Sequence, residues 1–233
     1  MTSCQNVPDE VRRAYPSSGW CARIGPDRTG SRRCRRPPGR ATVRDVTDEP
    51  QPAADPDLPP YAPAAPDAKD WTWVLTERCG ECGFAGTDVP GPDVAGTIHD
   101  LVPRWRAALN RRDARVRPRP DVWSPLEYGA HVRDVHRVFD ERLRLMLEQD
   151  DPQFANWDQD ATAVAERYDL QEPGRVADEL ADAAAVLAAR FAAVRADQWE
   201  RPGRRSNGSV FTVTTLGGYF LHDVVHHLHD VGA

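Results

Sequence analysis

The strongest constraint on the fold is a helical apolar period that returns four times between residues 93 and 231. Apolar side chains recur every three or four positions, which is the spacing of one helix face. The four stretches cover roughly 93–111, 124–148, 174–196 and 214–231. A long connection, residues 150–172, separates the second from the third. Four amphipathic helices with one long connection predict an all-α protein with a four-helix bundle.

The second helix has the clearest start. In the sequence SPLE, Ser124 is placed to cap the helix, Pro125 suits the first helical position, and Glu127 completes a capping box. Pro103 lies inside the first helix, where we expect a kink, because proline lacks the amide hydrogen that the helix needs. The segment PGRRSNGSVFTV before the last helix predicts a turn and a short hairpin.

The N-terminal third of the chain has a different composition. Residues 1–44 contain ten arginines and three acids, and residues 45–70 are rich in acids, prolines and alanines. Neither block can bury enough apolar surface to offset the loss of chain entropy. We therefore expect residues 1–68 to be a disordered tail and residues 69–233 to be the folded domain. An alternative hypothesis is that translation starts at Val43 or Val46, which the intact mass of the native protein can test.

Composition also narrows the functional classes. The net charge of −6 gives no reason to expect a nucleic-acid partner. There is no apolar run of roughly 18 residues, so we expect no membrane span. The N-terminus is basic but has no apolar stretch of the signal-peptide kind, so we expect no secretory signal. Five cysteines in 233 residues do not indicate a disulfide framework, so the expected location is the cytoplasm.

The last helix ends in the sequence HDVVHHLHDV, which is unusually dense in possible metal ligands. Side chains four positions apart lie on the same helix face, so two of them can share one ion. Two such pairs are present, His222 with His226 and Asp223 with His227. Imidazole and carboxylate ligands suit Zn, Ni, Fe or Mn. The second helix offers His131 as a third ligand, and also His136.

The sequence WSPLEYGAHV, followed at a distance by this histidine-rich last helix, resembles the DinB-like superfamily. That group includes the metal-binding domain of mycothiol-dependent maleylpyruvate isomerase and related thiol transferases. The resemblance covers roughly residues 93–231 and implies a four-helix bundle with a divalent metal. It implies that His131, after Trp123 and Ser124, is the ligand from the second helix. It also implies a pair of ligands, spaced His/Glu-x3-His, from the last helix.

Two alignments of that pair remain open. Residue type favours His222 and His226, whereas a helical wheel favours Asp223 and His227. On the wheel, His227 lies at the edge of the apolar arc and Asp223 just beyond it, while His222 and His226 lie nearly opposite. The pair that faces the bundle core should meet His131.

The other pair has a possible partner in the sequence CGEC. Cys79 and Cys82 resemble half of a zinc ribbon, and His222 with His226 would complete a tetrahedral Cys2His2 set. The hypothesis is a second, structural zinc that holds the segment before the first helix onto the last helix. The alternative is that the two cysteines are reduced thiols or a redox pair.

The resemblance implies one function and leaves another open. The first is a metal-dependent transferase or isomerase that uses a low-molecular-weight thiol of the mycothiol type and an electrophilic substrate. The alternative is a non-catalytic bundle that binds a metal or a small ligand. Four arginines are candidates to bind a substrate carboxylate: Arg133, Arg137, Arg204 and Arg205. DinB-like proteins often dimerise, so a homodimer is also expected.

Overall fold

The structure, a computed structural model, describes residues 59–66 and 69–233. Within these residues the chain forms five α-helices and one small sheet. The helices are α1 (Val94–Leu109), α2 (Pro125–Glu148), α3 (Gln159–Ala165), α4 (Pro173–Ala192) and α5 (Val213–Asp230). The strands are β1 (Gln153–Phe154), β2 (Pro202–Arg205) and β3 (Val210–Thr212).

The predicted four-helix bundle is confirmed, and its helices are α1, α2, α4 and α5. The bounds agree with the predicted ones to within a few residues, except that α4 ends at Ala192, before the predicted end at 196. Helix α1 continues across Pro103 as one α-helix. The bundle core is built from large buried side chains of all four helices, among them Trp105, Leu143, Leu187, Phe191 and Phe220.

The long connection between α2 and α4 is more structured than its sequence indicated. It contains β1, the seven-residue helix α3 and a single 3₁₀ turn at Tyr168–Leu170. Strand β1 pairs in parallel with β2, and β2 pairs antiparallel with β3, which is the predicted hairpin. Both β1 and α3 are too short to produce a recognisable apolar period. Helix α3 does have a cap, because the Asp158 side chain accepts a hydrogen bond from the Ala161 amide.

The predicted capping box holds the start of α2. The Ser124 side chain accepts from the Glu127 amide, and the Glu127 carboxylate accepts from the Ser124 amide at 2.9 Å. Glu127 is buried and also accepts from the Arg117 guanidinium and from the Tyr61 hydroxyl. Burial alone acts to raise the pKa of Glu127, but the bonds from Arg117 and Ser124 lower it below its ordinary value. One carboxylate therefore fixes both the helix start and the loop before it.

Part of the predicted tail contacts the bundle. Residues 59–66 form no helix or strand, but Tyr61 bonds to Glu127 and the Ala65 amide donates to the Asp121 carbonyl at 2.9 Å. The boundary predicted at residue 68 is therefore later than the first contacts with the domain. The rest of the predicted tail, residues 1–58 and 67–68, lies outside the described residues.

The segment of residues 69–90, which we call the N-terminal segment, packs on α5. It begins with a 3₁₀ turn at Trp71–Leu75, whose Val74 is fully buried. The closest approach is at Gly218, where a Cβ atom would lie 2.3 Å from the Gly86 carbonyl oxygen. Only glycine at position 218 lets the backbone of the segment come this near to the helix. None of the described helices is long and apolar enough to cross a membrane.

The close contact between Gly218 and Gly86 leads to a prediction about stability. Gly218→Ala should lower the free energy of unfolding by about 1–3 kcal/mol, because the new methyl group overlaps a backbone oxygen. Gly96→Ala in α1 is the matched control, since no atom lies within 4 Å of the added Cβ. There the better helix propensity of alanine should raise stability by up to about 1 kcal/mol. Urea unfolding measures both, and equal effects of the two substitutions would contradict the close contact.

Candidate metal centre

Three predicted ligands from two helices converge at one end of the bundle. His131 comes from α2, and Asp223 and His227 come from successive turns of α5. Asp223 Oδ1 lies 3.5 Å from His131 Nε2 and 3.6 Å from His227 Nε2. The three ligand atoms all lie within 4.8 Å of one another. Of the two pairs in α5, the structure therefore brings Asp223 and His227, and not His222 and His226, to His131.

These distances fit a metal better than they fit hydrogen bonds. Both exceed the usual length of an N–H···O bond. A cation with tetrahedral angles and ligand distances near 2.1 Å separates its ligand atoms by about 3.4 Å. The observed 3.5 Å and 3.6 Å are close to that value.

Three buried polar atoms of His131 and Asp223 have no hydrogen-bond partner among the described residues. His131 is fully buried, and neither of its ring nitrogens forms a hydrogen bond. Asp223 Oδ1 is buried as well and forms none. Unpaired buried polar atoms are uncommon and cost free energy, so each one calls for an explanation. A bound cation would satisfy His131 Nε2 and Asp223 Oδ1 together.

The protonation states suit a cation. Burial lowers the pKa of His131, so its ring is neutral at neutral pH and a lone pair is available. Burial acts to raise the pKa of Asp223, but the neighbouring His131 and His227 rings lower it to about 2. The cluster thus offers the neutral imidazole of His131 and the carboxylate anion of Asp223, beside the ring of His227.

Neighbouring side chains fix the orientation of these ligands. His227 Nδ1 lies 2.8 Å from Asp230 Oδ2, which leaves Nε2 directed at Asp223. The Trp157 ring stacks on His131 with 5.3 Å between ring centroids and 9° between planes. Trp123 packs against His131 from another direction, at 5.4 Å. The ligands are held by their surroundings and not only by one another.

The cluster opens onto a cavity of about 520 Å³. Its wall includes Asp223 and His227, the aromatic rings of Trp157 and Tyr219, and Arg205 from β2. Asn156 and Trp157, from the long connection, also line the cavity. A cavity of this size accommodates a small organic molecule.

Comparison with known proteins identifies the family. A family model described as the DinB superfamily matches residues 97–231, more than half of the chain. The chain belongs to the DinB superfamily.

A solved structure has the same fold as this DinB protein. It is described as "YfiT from Bacillus subtilis is a probable metal-dependent hydrolase with an unusual four-helix bundle topology". The two chains are 15% identical, with a TM-score of 0.55, and the match covers 61% of this chain and 85% of that one. No curated protein matches the chain.

The remaining predicted ligands of the DinB protein form a second cluster. His222 and His226 face the N-terminal segment, where they meet Cys79 and Cys82. The four ligand atoms lie within 4.8 Å of one another, and the two cysteines are not joined by a disulfide. The predicted half-sites are therefore neighbours in the fold, on the side of α5 that the bundle leaves uncovered.

His136, the other histidine of α2, is buried in the core and does not belong to the metal centre. Its Nδ1 lies 2.7 Å from the Val132 carbonyl, and its ring packs edge-on against Phe220. Burial lowers the pKa of His136 to about 4, so the ring is neutral inside the core. It takes part in neither cluster.

Three of the four arginines predicted to bind a substrate carboxylate are instead paired with acidic side chains. Arg133 donates to Asp134 and Glu179, Arg137 donates to Asp134, and Arg204 donates to Asp151. Arg205 differs, since its contacts are neutral: Asn156 Oδ1 at 2.7 Å and the Tyr219 hydroxyl at 3.5 Å. Its Nε atom is buried and has no hydrogen-bond partner within the described part of the chain. Arg205 is therefore the arginine available to an anion in the cavity.

Several residues that support the site were not predicted from the sequence. Asp134 is buried and accepts from Arg133, Arg137 and the Tyr168 hydroxyl. Tyr168 lies in the long connection, so no periodic pattern connects it to α2. Asp230 was not recognised as the partner of His227, although its position three residues later on the same helix face is the signal that indicates it.

The buried Asp134 network gives a pH-dependent prediction. Burial acts to raise the pKa of Asp134, but the bonds from Arg133 and Tyr168 lower it. Its charge therefore stabilises the fold above pH 3.8, the ordinary pKa of the group, and this contribution is lost as the pH falls through the lowered value. At pH 7, Asp134→Asn should cost about 2–3 kcal/mol, because Arg133 loses a charged partner.

Urea unfolding at a series of pH values measures this effect. The gap between wild type and Asp134→Asn should narrow as the pH falls below 3.8, because the carboxylate of the unfolded chain is then protonated while that of the folded protein is still charged. Asp182→Asn, at an exposed position of α4, is the matched control and should change little. A gap that stays constant over the whole pH range would rule out the charge of Asp134 as its cause.

Proposed function

We propose that this DinB protein is a divalent-metal-dependent enzyme that transfers a low-molecular-weight thiol to an electrophile held in the cavity. The observation that carries the proposal is the cluster of His131, Asp223 and His227 at the wall of the 520 Å³ cavity. Three protein ligands are typical of catalytic sites, since they leave a coordination position for a reactant. Two imidazoles and one carboxylate suit Zn, Ni, Fe or Mn.

A divalent cation in this cluster would supply the positive charge that keeps a thiol, or a water molecule, deprotonated at neutral pH. Side chains of the protein would orient the metal ligands, exclude water and adjust the charge of the site. Asp230 holds the His227 ring in the orientation that directs Nε2 at the cluster. Trp157 covers His131 and excludes water from its buried face. Asp223 brings one negative charge, which reduces the net charge of a loaded site.

Arg205 is the group that we propose binds an anion in the cavity. Its guanidinium donates to Asn156 and Tyr219, and neither of these two partners is an acid. A guanidinium that is held in place but not neutralised binds a carboxylate strongly. We therefore propose an electrophile with a carboxylate group, positioned by Arg205 beside the thiol.

Two other functions compete with thiol transfer. The thiol rests on the resemblance of the WSPLEYGAHV motif to thiol-dependent members of the family. Hydrolysis, with water in the place of the thiol, is the second candidate, because YfiT is described as a probable metal-dependent hydrolase. A non-catalytic bundle that binds a metal or a small ligand is the third. All three require the same cluster, so metal content is tested first and turnover second.

The metal prediction uses two histidine variants of the full chain. His131→Ala should remove one equivalent of divalent metal from the purified protein, because it deletes the ligand from α2. His99→Ala is the matched control, since His99 is exposed on α1 and belongs to neither cluster. Elemental analysis of the purified proteins gives the stoichiometry. Equal metal content in wild type, His131→Ala and His99→Ala would refute the proposed centre.

Turnover separates the three functions. Consumption of a carboxylate-bearing electrophile should depend on added mycothiol and on metal, and it should be lost in His131→Ala. Consumption without any thiol would replace the transferase by a hydrolase. Metal binding without consumption in either assay would favour the non-catalytic bundle.

A substitution pair tests the role of Arg205. Arg205→Met should raise KM for a carboxylate-bearing electrophile by roughly 10- to 100-fold, the effect of losing a charged hydrogen bond. Arg204→Met removes a neighbouring arginine that is bound to Asp151 and does not line the cavity. It should leave KM unchanged. A similar KM in wild type and Arg205→Met would exclude Arg205 as the anion site.

A further inference from the structure

The second cluster of potential ligands, on the other side of α5, carries an inference that does not rest on the proposed function. We propose that Cys79, Cys82, His222 and His226 bind a zinc ion in a closed, tetrahedral site that fastens the N-terminal segment to α5. The four ligand atoms converge within 4.8 Å, and they come from two elements far apart in the sequence.

The distance between the two halves has the value that zinc requires. Cys79 Sγ lies 3.6 Å from His226 Nδ1. With zinc–sulfur and zinc–nitrogen distances near 2.3 and 2.1 Å, tetrahedral angles separate the two ligand atoms by about 3.6 Å. The other ligand atoms also lie within 4.8 Å of one another.

The backbone around the cysteines forms a tight turn. The Gly83 amide donates to the Cys79 carbonyl at 2.9 Å, and the Cys79 amide donates to the Phe84 carbonyl at 2.8 Å. Gly83 has a φ of 75°, which favours glycine over any other residue. The turn folds Cys79 and Cys82 toward each other, so that both thiols reach the same two histidines.

His222 supplies independent evidence that a ligand is required. It is 3% exposed, and its Nε2 atom is buried without a hydrogen-bond partner. The rings of Trp71 and Phe84 cover it, at centroid distances of 5.4 and 6.4 Å. A metal ion would satisfy this imidazole nitrogen, which has no hydrogen-bond partner among the described residues.

The ligand chemistry identifies the metal and the role. Two thiolates and two neutral imidazoles are a set that selects zinc, and harder ions prefer oxygen ligands. Four protein ligands leave no open position, so the site is structural. Glu81, inside the CGEC sequence, places Oε2 3.5 Å from His226 Nε2. It is thus placed to hold the second ring nitrogen of His226, as carboxylates do at many zinc sites.

The site has a consequence for the cavity. Trp71 and Glu81 of the N-terminal segment line the cavity, together with His222 and His226. The zinc would therefore fix one wall of the cavity, whereas Asp223 and His227 of the first cluster line another part of the same cavity. Helix α5 holds the two sites apart because neighbouring residues point about 100° from each other.

Zinc analysis and cobalt substitution of the full chain test the proposal. Cys79→Ser/Cys82→Ser should lose one zinc equivalent relative to wild type, and its thermal midpoint should fall. Cobalt-loaded wild type should show thiolate-to-cobalt charge-transfer absorption, which the double variant should lack. His131→Ala should keep this absorption, so that loss of the first site and loss of the second are distinguishable.

Controls assign the sulfur ligands. The other three cysteines, Cys4, Cys21 and Cys34, lie outside the described residues, and their replacement by serine should leave the absorption unchanged. If the double variant does not fold, zinc-edge X-ray absorption of wild type decides: sulfur neighbours near 2.3 Å support the site. Only nitrogen and oxygen neighbours, an unchanged zinc content in a folded double variant, or a Cys79–Cys82 disulfide in protein purified under reducing conditions would overturn it.

Discussion

The burial of polar side chains on two sides of α5 is the constraint on which the rest of the structure depends. Between His222 and His227 the helix places four polar residues in or beside the protein interior, and buried nitrogen or oxygen atoms without partners are costly. The bundle can cover only one of these sides, through His131 of α2. The other side needs a second cover, which the N-terminal segment supplies at the Gly218–Gly86 contact. The fold of residues 69–90 is thus tied to the polarity of α5.

The bundle itself was predictable because its signals are local and periodic. The capping box of α2 specifies a helix start within four residues, and the apolar stripes specify which sides pack together. The short pieces β1 and α3 were not predictable, because two or seven residues cannot establish a period. The same reason hid Tyr168, whose bond to Asp134 joins residues 34 positions apart. Contacts between residues so far apart in the chain cannot be predicted from the periodic pattern of one sequence.

The two candidate ligand pairs of α5 show what residue type and helix geometry can each predict about a metal site. Residue type favoured His222 and His226 as the partners of His131, whereas the helical wheel favoured Asp223 and His227. The structure agrees with the wheel, because a ligand of α2 can only meet side chains at the edge of the apolar arc. The wheel also indicated that His222 and His226 face away from the bundle. It could not show that Cys79 lies 3.6 Å from His226, since that depends on how the N-terminal segment returns to α5.

The offset of one residue between the two pairs lets a single helix serve two different chemistries. The His131 cluster has a carboxylate, no sulfur and a cavity beside it, so it suits a borderline or hard cation with an open position. The Cys79 cluster has two sulfurs and four protein ligands, so it suits zinc and is closed. Because the ligand types differ, each set would select its own ion even though α5 contributes half or more of both. A helix period of 3.6 residues makes this possible, since i and i+4 share a side while i and i+1 do not.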